Sequence, residues 1–140
     1  MTALMFVAMF VLMYAMVDRL DNVYPNLNQF YMAGLMTAPM VLIELVLMWS
    51  MYKNRRANAA IAIVSLIAFA VFWFGIRQQL AIADEQFLKS MIPHHAGAIL
   101  MCGQAPVQDE EIRTLCRNII HSQQSEIDQM KTILSRLGQS

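Results

Sequence analysis

The chain has 140 residues, 58% of them hydrophobic and only 14% charged, with ten Lys and Arg balanced by ten Asp and Glu and a mean hydropathy of +0.46. That is too apolar for an ordinary soluble domain and points to a membrane, while the zero net charge leaves no basic field for a nucleic acid. Two Cys cannot define a disulfide scaffold, and 13 Met is an excess that needs either a packing reason or a soft-metal reason.

Three apolar runs stand against the roughly 20 residues a helix needs to cross a bilayer. Met1 to Val17 is uncharged and is closed by Asp18, Arg19 and Asp21. It lacks the positive start of a signal peptide, and Tyr14, Ala15, Met16 is not a small-x-small cleavage site, so the expectation is an uncleaved span. Phe30 to Tyr52 contains one ionisable residue, Glu44, and stops at Lys53, Asn54, Arg55 and Arg56. Ala59 to Ile76 is uncharged and ends at Arg77. The loop before Ala59 holds three cations and no acid, so the positive-inside rule places it in the cytoplasm, with the N-terminus. The expected arrangement is a multi-pass inner (plasma) membrane protein whose chain after Arg77 faces the periplasm, where thiols can oxidise.

Residues 78 to 140 hold all three His and read as a two-helix hairpin, apart from a three-span region at 1 to 77. No Gly or Pro lies between Ile76 and Ile92, so the third span is expected to run straight on into the first tail helix. Pro93 predicts a kink or a fresh helix start, and Gly103, Ala105 and Pro106 break the helix after about Cys102. The second tail helix starts with Asp109 as N-cap and Glu110 and Glu111 in its first turn, and ends at Gly138. Its apolar positions Ile112, Leu115, Cys116, Ile119, Met130, Leu134 and Leu137 recur at three and four residue steps. Two helices bury too little to stand alone, so the hairpin is expected to pack on another copy, on the membrane spans or on both, a homodimer completing a four-helix bundle being the simplest solution.

The densest candidate site is Met91, His94, His95 and Met101, whose steps of three, four and seven let imidazoles and thioethers share a helix face. Such ligands suit copper, especially the cuprous ion, better than magnesium, calcium or manganese. On the second helix Gln123, Glu126 and Met130 form one stripe, from which Met130 can close over the His pair. His121 lies half a turn away from Met130 and is set apart. The competing explanation is that Met fills the core and His caps a helix. No Glu-x-x-His step supports a carboxylate-bridged di-iron site, no Cys/His spacing supports zinc, and no nucleophile and base pair supports catalysis.

A second Met pattern runs through the apolar half: Met1, Met5, Met9, Met13 and Met16, then Met32, Met36, Met40, Met48 and Met51, with Glu44 in the missing place. It fits a copper relay with an intramembrane carboxylate, or helix packing with Glu44 hydrogen-bonded to a neighbouring span. Pro39 is expected to kink its span. Cys102 and Cys116 both fall on the hairpin seam, but with a loop at 103 to 108 a direct bond looks strained; a disulfide, a bridge between copies and a pair of soft-metal ligands all stay open.

Asp84, Phe87, Met91, Ile92, Pro93, His94, His95, Gly97, Ala98 and Met101, followed by Ile119, Ile120, Gln123, Glu126, Ile127 and Met130, resemble the signature of the domain-of-unknown-function family 305. The resemblance covers about residues 84 to 137 and implies an exported, ferritin-like helical hairpin or bundle, with copper binding and resistance in some members. Carried over by position, it implies Met91, His94, His95, Met101 and Met130 as ligands, with Gln123, Glu126, Glu44, Cys102 and Cys116 as accessory candidates from the residue pattern. The expectation is an all-α, non-enzymatic membrane protein that binds copper for sequestration, resistance or hand-over. The alternative is a membrane-anchored dimerisation module without metal.

Overall fold

The computed structural model describes residues 1–138, and its regular elements are all helical. There are five α-helices among them: α1 (Thr2–Leu12), α2 (Leu27–Leu47), α3 (Arg55–Arg77), α4 (Asp84–Gln104) and α5 (Glu110–Leu137), with short 3-10 turns at Met13–Met16 and Leu20–Asn22. Two compact units result. One combines Met1–Met13 with Leu27–Ala81, and the other combines Tyr14–Asn26 with the chain from Ile82 onward. The tail unit therefore begins four residues later than the charge pattern suggests, and it recruits a segment from the first loop.

In the first unit α1 packs on α2 and α2 packs on α3. With 21 and 23 residues, α2 and α3 are long and apolar enough to cross a bilayer. The first apolar run forms a shorter apolar helix. Eleven α-helical residues and four in 3-10 geometry reach about 24 Å, short of the roughly 30 Å hydrocarbon core. Its end is set at Tyr14, whose hydroxyl donates to the Tyr24 carbonyl (2.8 Å) within the second unit.

Close contact between α2 and α3 depends on small residues, as it commonly does between helices in lipid. A Cβ at Gly34 would overlap the Phe72 ring, and one at Gly75 would lie 3.3 Å from Tyr31. The outer side of α3 is apolar too: Ile63, Val64, Ile67 and Val71 are each more than half exposed. Both helix starts and interruptions have polar support. Asn54 caps α3 by accepting from the Ala57 amide (3.1 Å), and Asn58 donates to the Tyr52 carbonyl (3.0 Å). The helix α2 continues through Pro39.

The expected continuity of the third span into the tail does not hold. After Arg77 the Leu80 amide bonds back to Gly75 (3.0 Å) and the Gln79 amide to Ile76 (3.2 Å), with Gln79 in the left-handed region at φ 50°. This is a Schellman cap built without glycine. It is held by Tyr31, which donates to the Leu80 carbonyl (2.8 Å), and by Asn28, which exchanges amide hydrogen bonds with Gln79 at 3.1 Å. Local propensity permits a continuous helix here; side chains from α2 override it.

In the second unit α4 and α5 form an antiparallel hairpin around fully buried Ile92, Ala96 and Ile127, with Val17, Tyr24, Ile99, Met130 and Leu134 packed against them. Asp109 caps α5 by accepting from the Glu111 and Ile112 amides (2.9 and 3.0 Å). The expected fresh start at Pro93 does not occur, since α4 continues from Asp84 to Gln104. Pro93 cannot donate to the Lys89 carbonyl four residues back. The buried Asn26 side chain supplies a replacement donor to that carbonyl at 3.4 Å.

Replacing Gly34 with Leu is expected to force α2 and α3 apart and destabilise the unit by about 1–3 kcal/mol, the usual range for overpacking. A lowered thermal midpoint in mild detergent checks this, and an unchanged midpoint would refute the close contact.

Candidate functional site

Helical geometry turns the two adjacent His of α4 in different directions, about 100° apart. His95 is buried in the hairpin seam, whereas His94 is exposed, with the ring centroids 6.1 Å apart. Both ring nitrogens of His95 are engaged: Nδ1 lies 2.9 Å from the Met91 carbonyl oxygen and Nε2 lies 2.7 Å from a Glu126 carboxylate oxygen. A carbonyl only accepts, so Nδ1 is the donor to Met91, while Nε2 pairs with the carboxylate of Glu126. Glu126 receives further support on its other oxygen from the Ser122 hydroxyl (3.4 Å). Glu126 thus acts as the partner of His95, a role that the Gln123, Glu126, Met130 stripe did not suggest.

The five expected ligands differ in burial. Met130 packs against Ile92, Ala96 and Ile127 as part of the core. Met91 is half-buried one turn from His94, and Met101 lies two turns beyond His94 on the same side of α4, 54% exposed. His94 itself makes no hydrogen bond among the described residues. Gln123 is half-buried on α5, and no group of three or more His, Cys, Asp or Glu that could hold a metal is present among the described residues. In its present hydrogen bonds both nitrogens of His95 are taken by protein partners. The donors left to the surface are the Met91 and Met101 thioethers and the His94 imidazole.

At the tip of the hairpin Cys102 and Cys116 are joined as a disulfide, with Cα atoms 5.1 Å apart. The expected strain came from placing the start of α5 level with the end of α4. Since Cys102 lies two residues before the end of α4 and Cys116 six residues into α5, the extended Ala105 and Asp109 (ψ 130° each) carry the loop outward before the chain turns back. The registers then coincide at the two Cys. In the first unit Glu44 is half-buried on α2, and its carboxyl has no hydrogen bond or ion pair among the described residues. Met32 and Met36 on the same helix are 40% and 41% exposed, so that stripe faces outward instead of forming the α2 and α3 contact.

The family described as Domain of unknown function (DUF305) matches residues 76–140. An uncharacterized protein of Acanthamoeba polyphaga mimivirus is 35% identical over 119 residues, covering 84% of this chain and 76% of that relative. The chain belongs to the DUF305 family. The stretch shared with the viral relative is longer than the DUF305 match, so the likeness extends into the apolar half as well. No solved structure matches the chain. Within the DUF305 domain, the Met-Ile-Pro-His-His run is where helix α4 is pierced by proline, repaired by Asn26 and pinned to α5 through His95.

Changing Glu126 to Ala removes the partner of Nε2 on the buried His95. A destabilisation of about 1–3 kcal/mol is expected, the cost of a buried polar group left unpaired. Urea unfolding followed by circular dichroism measures it; a midpoint equal to that of the unmodified chain would show the pair to be dispensable.

Proposed function

We propose that this DUF305 protein is a membrane-anchored binder of cuprous copper whose hairpin holds the ion for sequestration, resistance or hand-over, without catalysis. The reading is carried by one observation: His94 and Met101 project from the same exposed side of α4, with Met91 one turn from His94, and no fold-sustaining hydrogen bond occupies His94. Imidazole and thioether donors match a soft cation. Thioethers also bind without losing a proton, so acid weakens such a site less than a thiolate site. His95 enters the ligand set only by leaving Glu126, which makes His94 the principal nitrogen donor.

The anchor is proposed as three inner-membrane spans, with the run up to Met16 completing the two long helices by local thinning of the bilayer around its short length. The basic stretch Lys53, Arg55 and Arg56 orients the protein with that loop in the cytoplasm and the hairpin in the periplasm. Two hairpins then complete a ferritin-like four-helix bundle and bring a second set of donors.

A second reading is favoured by exposed apolar groups on the hairpin. Phe87, Met101, Ile112 and Leu115 are each about half exposed, as in an assembly module that binds a protein surface without metal. Sulfur chemistry separates the two. Exchanging Met91 and Met101 for Leu keeps volume and removes the thioethers, and His94→Ala removes the imidazole. The copper reading expects each change to weaken cuprous binding at least about tenfold, near 1.4 kcal/mol. Competition with a chromophoric cuprous chelator reads this out; unchanged affinity in all three variants would leave the assembly module as the better account.

A further inference from the structure

We propose that the Cys102 and Cys116 pair is a redox-gated site for a soft monovalent cation, closed as a disulfide and opened by a dithiol reductant. It uses none of the residues of the Met91, His94 and Met101 reading and lies at the hairpin tip, where Cys102 follows Met101 in the chain.

The two Cys sit on facing turns of α4 and α5 with Cα atoms 5.1 Å apart, and both are partly exposed. Beside them the space is open: a Cβ added to Gly103 would meet nothing within 4 Å. Metal to thiolate bonds of about 2.3 Å place two sulfurs at most about 4.6 Å apart across one ion. With Cα atoms 5.1 Å apart, the two side chains are near enough for both sulfurs to reach one ion.

The number of ligands selects the ion. Structural zinc requires four ligands in a closed tetrahedron, but no third His, Cys, Asp or Glu joins this pair among the described residues. A cuprous ion favours thiolates and is satisfied by two of them. In the opening step the dithiol is oxidised to its own disulfide, while the Cys102 to Cys116 bond accepts two electrons and two protons. Ion binding then releases those two protons and forms two sulfur to copper bonds.

The gate also changes the fold around it. Residues 110–115, the first turns of α5, are all exposed, and the disulfide ties the next residue, Cys116, to α4. The bound ion would replace that link, whereas the metal-free dithiol would leave the tip loose.

The test is an anaerobic titration of full-length protein in detergent with cuprous ion, against a chromophoric chelator, before and after dithiol reduction and desalting. Reduced protein is expected to take up one more ion per chain than oxidised protein. The extra ion should vanish both in Cys102→Ser with Cys116→Ser and in reduced unmodified protein alkylated with iodoacetamide. Equal uptake before and after reduction overturns the proposal, as does an extra ion that survives alkylation. Ions bound by the oxidised form report on Met91, His94 and Met101 instead, so their absence would sink the earlier reading and leave this one standing.

Discussion

Pro93 removes one amide from the middle of α4, and the carbonyl it leaves behind organises the tail unit. The Lys89 oxygen, on a half-buried part of α4, loses its helical donor, a cost of order 1–3 kcal/mol where such a group is buried and unmet. Asn26 meets it, and the segment that brings Asn26 there also delivers Val17 and Tyr24 to the Ile92, Ala96 and Ile127 core. Gly97 belongs to the same arrangement, because a Cβ there would already touch the Met16 carbonyl oxygen at 3.4 Å. One side of α4 is thus covered by a segment drawn from far earlier in the chain, a second faces α5, and only the side bearing His94 and Met101 is left to solvent.

That division explains why two neighbouring His have such different lives. His95 is spent on structure, bridging α4 to α5 through Glu126 and clasping its own helix through the Met91 carbonyl. His94, one residue earlier, is on the uncovered side. A ligand set written down from sequence spacing mixes the two because imidazoles 100° apart look equivalent until the partner helix is placed. The same holds for Met101 and Met130, one exposed and the other in the core.

Much of the architecture is legible from local rules. The α5 cap at Asp109, its end before Gly138 and the uncharged runs behind α2 and α3 all follow from residue type and order. What escaped those rules is non-local. The end of α3 looks like good helix in composition, and only Tyr31 and Asn28, some fifty residues upstream, hold Gln79 and Leu80 out of it. The short reach of α1 follows from Tyr14 bonding to Tyr24, and the continuity of α4 through Pro93 follows from Asn26. Each departure is a side chain from one segment satisfying backbone in another, which no window of consecutive residues contains.

The disulfide at the tip closes a covalent ring on residues 102 to 116. Nearly every residue within that ring is exposed, and the turn between the helices carries no buried side chain. Exposed tips of this kind are where proteases cut first. A cut inside the ring would leave both fragments attached, so a nicked molecule keeps its full mass on a non-reducing gel and separates only when thiols are added. The hairpin can therefore lose its connecting loop without losing its second helix, and in an oxidising compartment the integrity of α4 with α5 rests on sulfur as much as on peptide bonds.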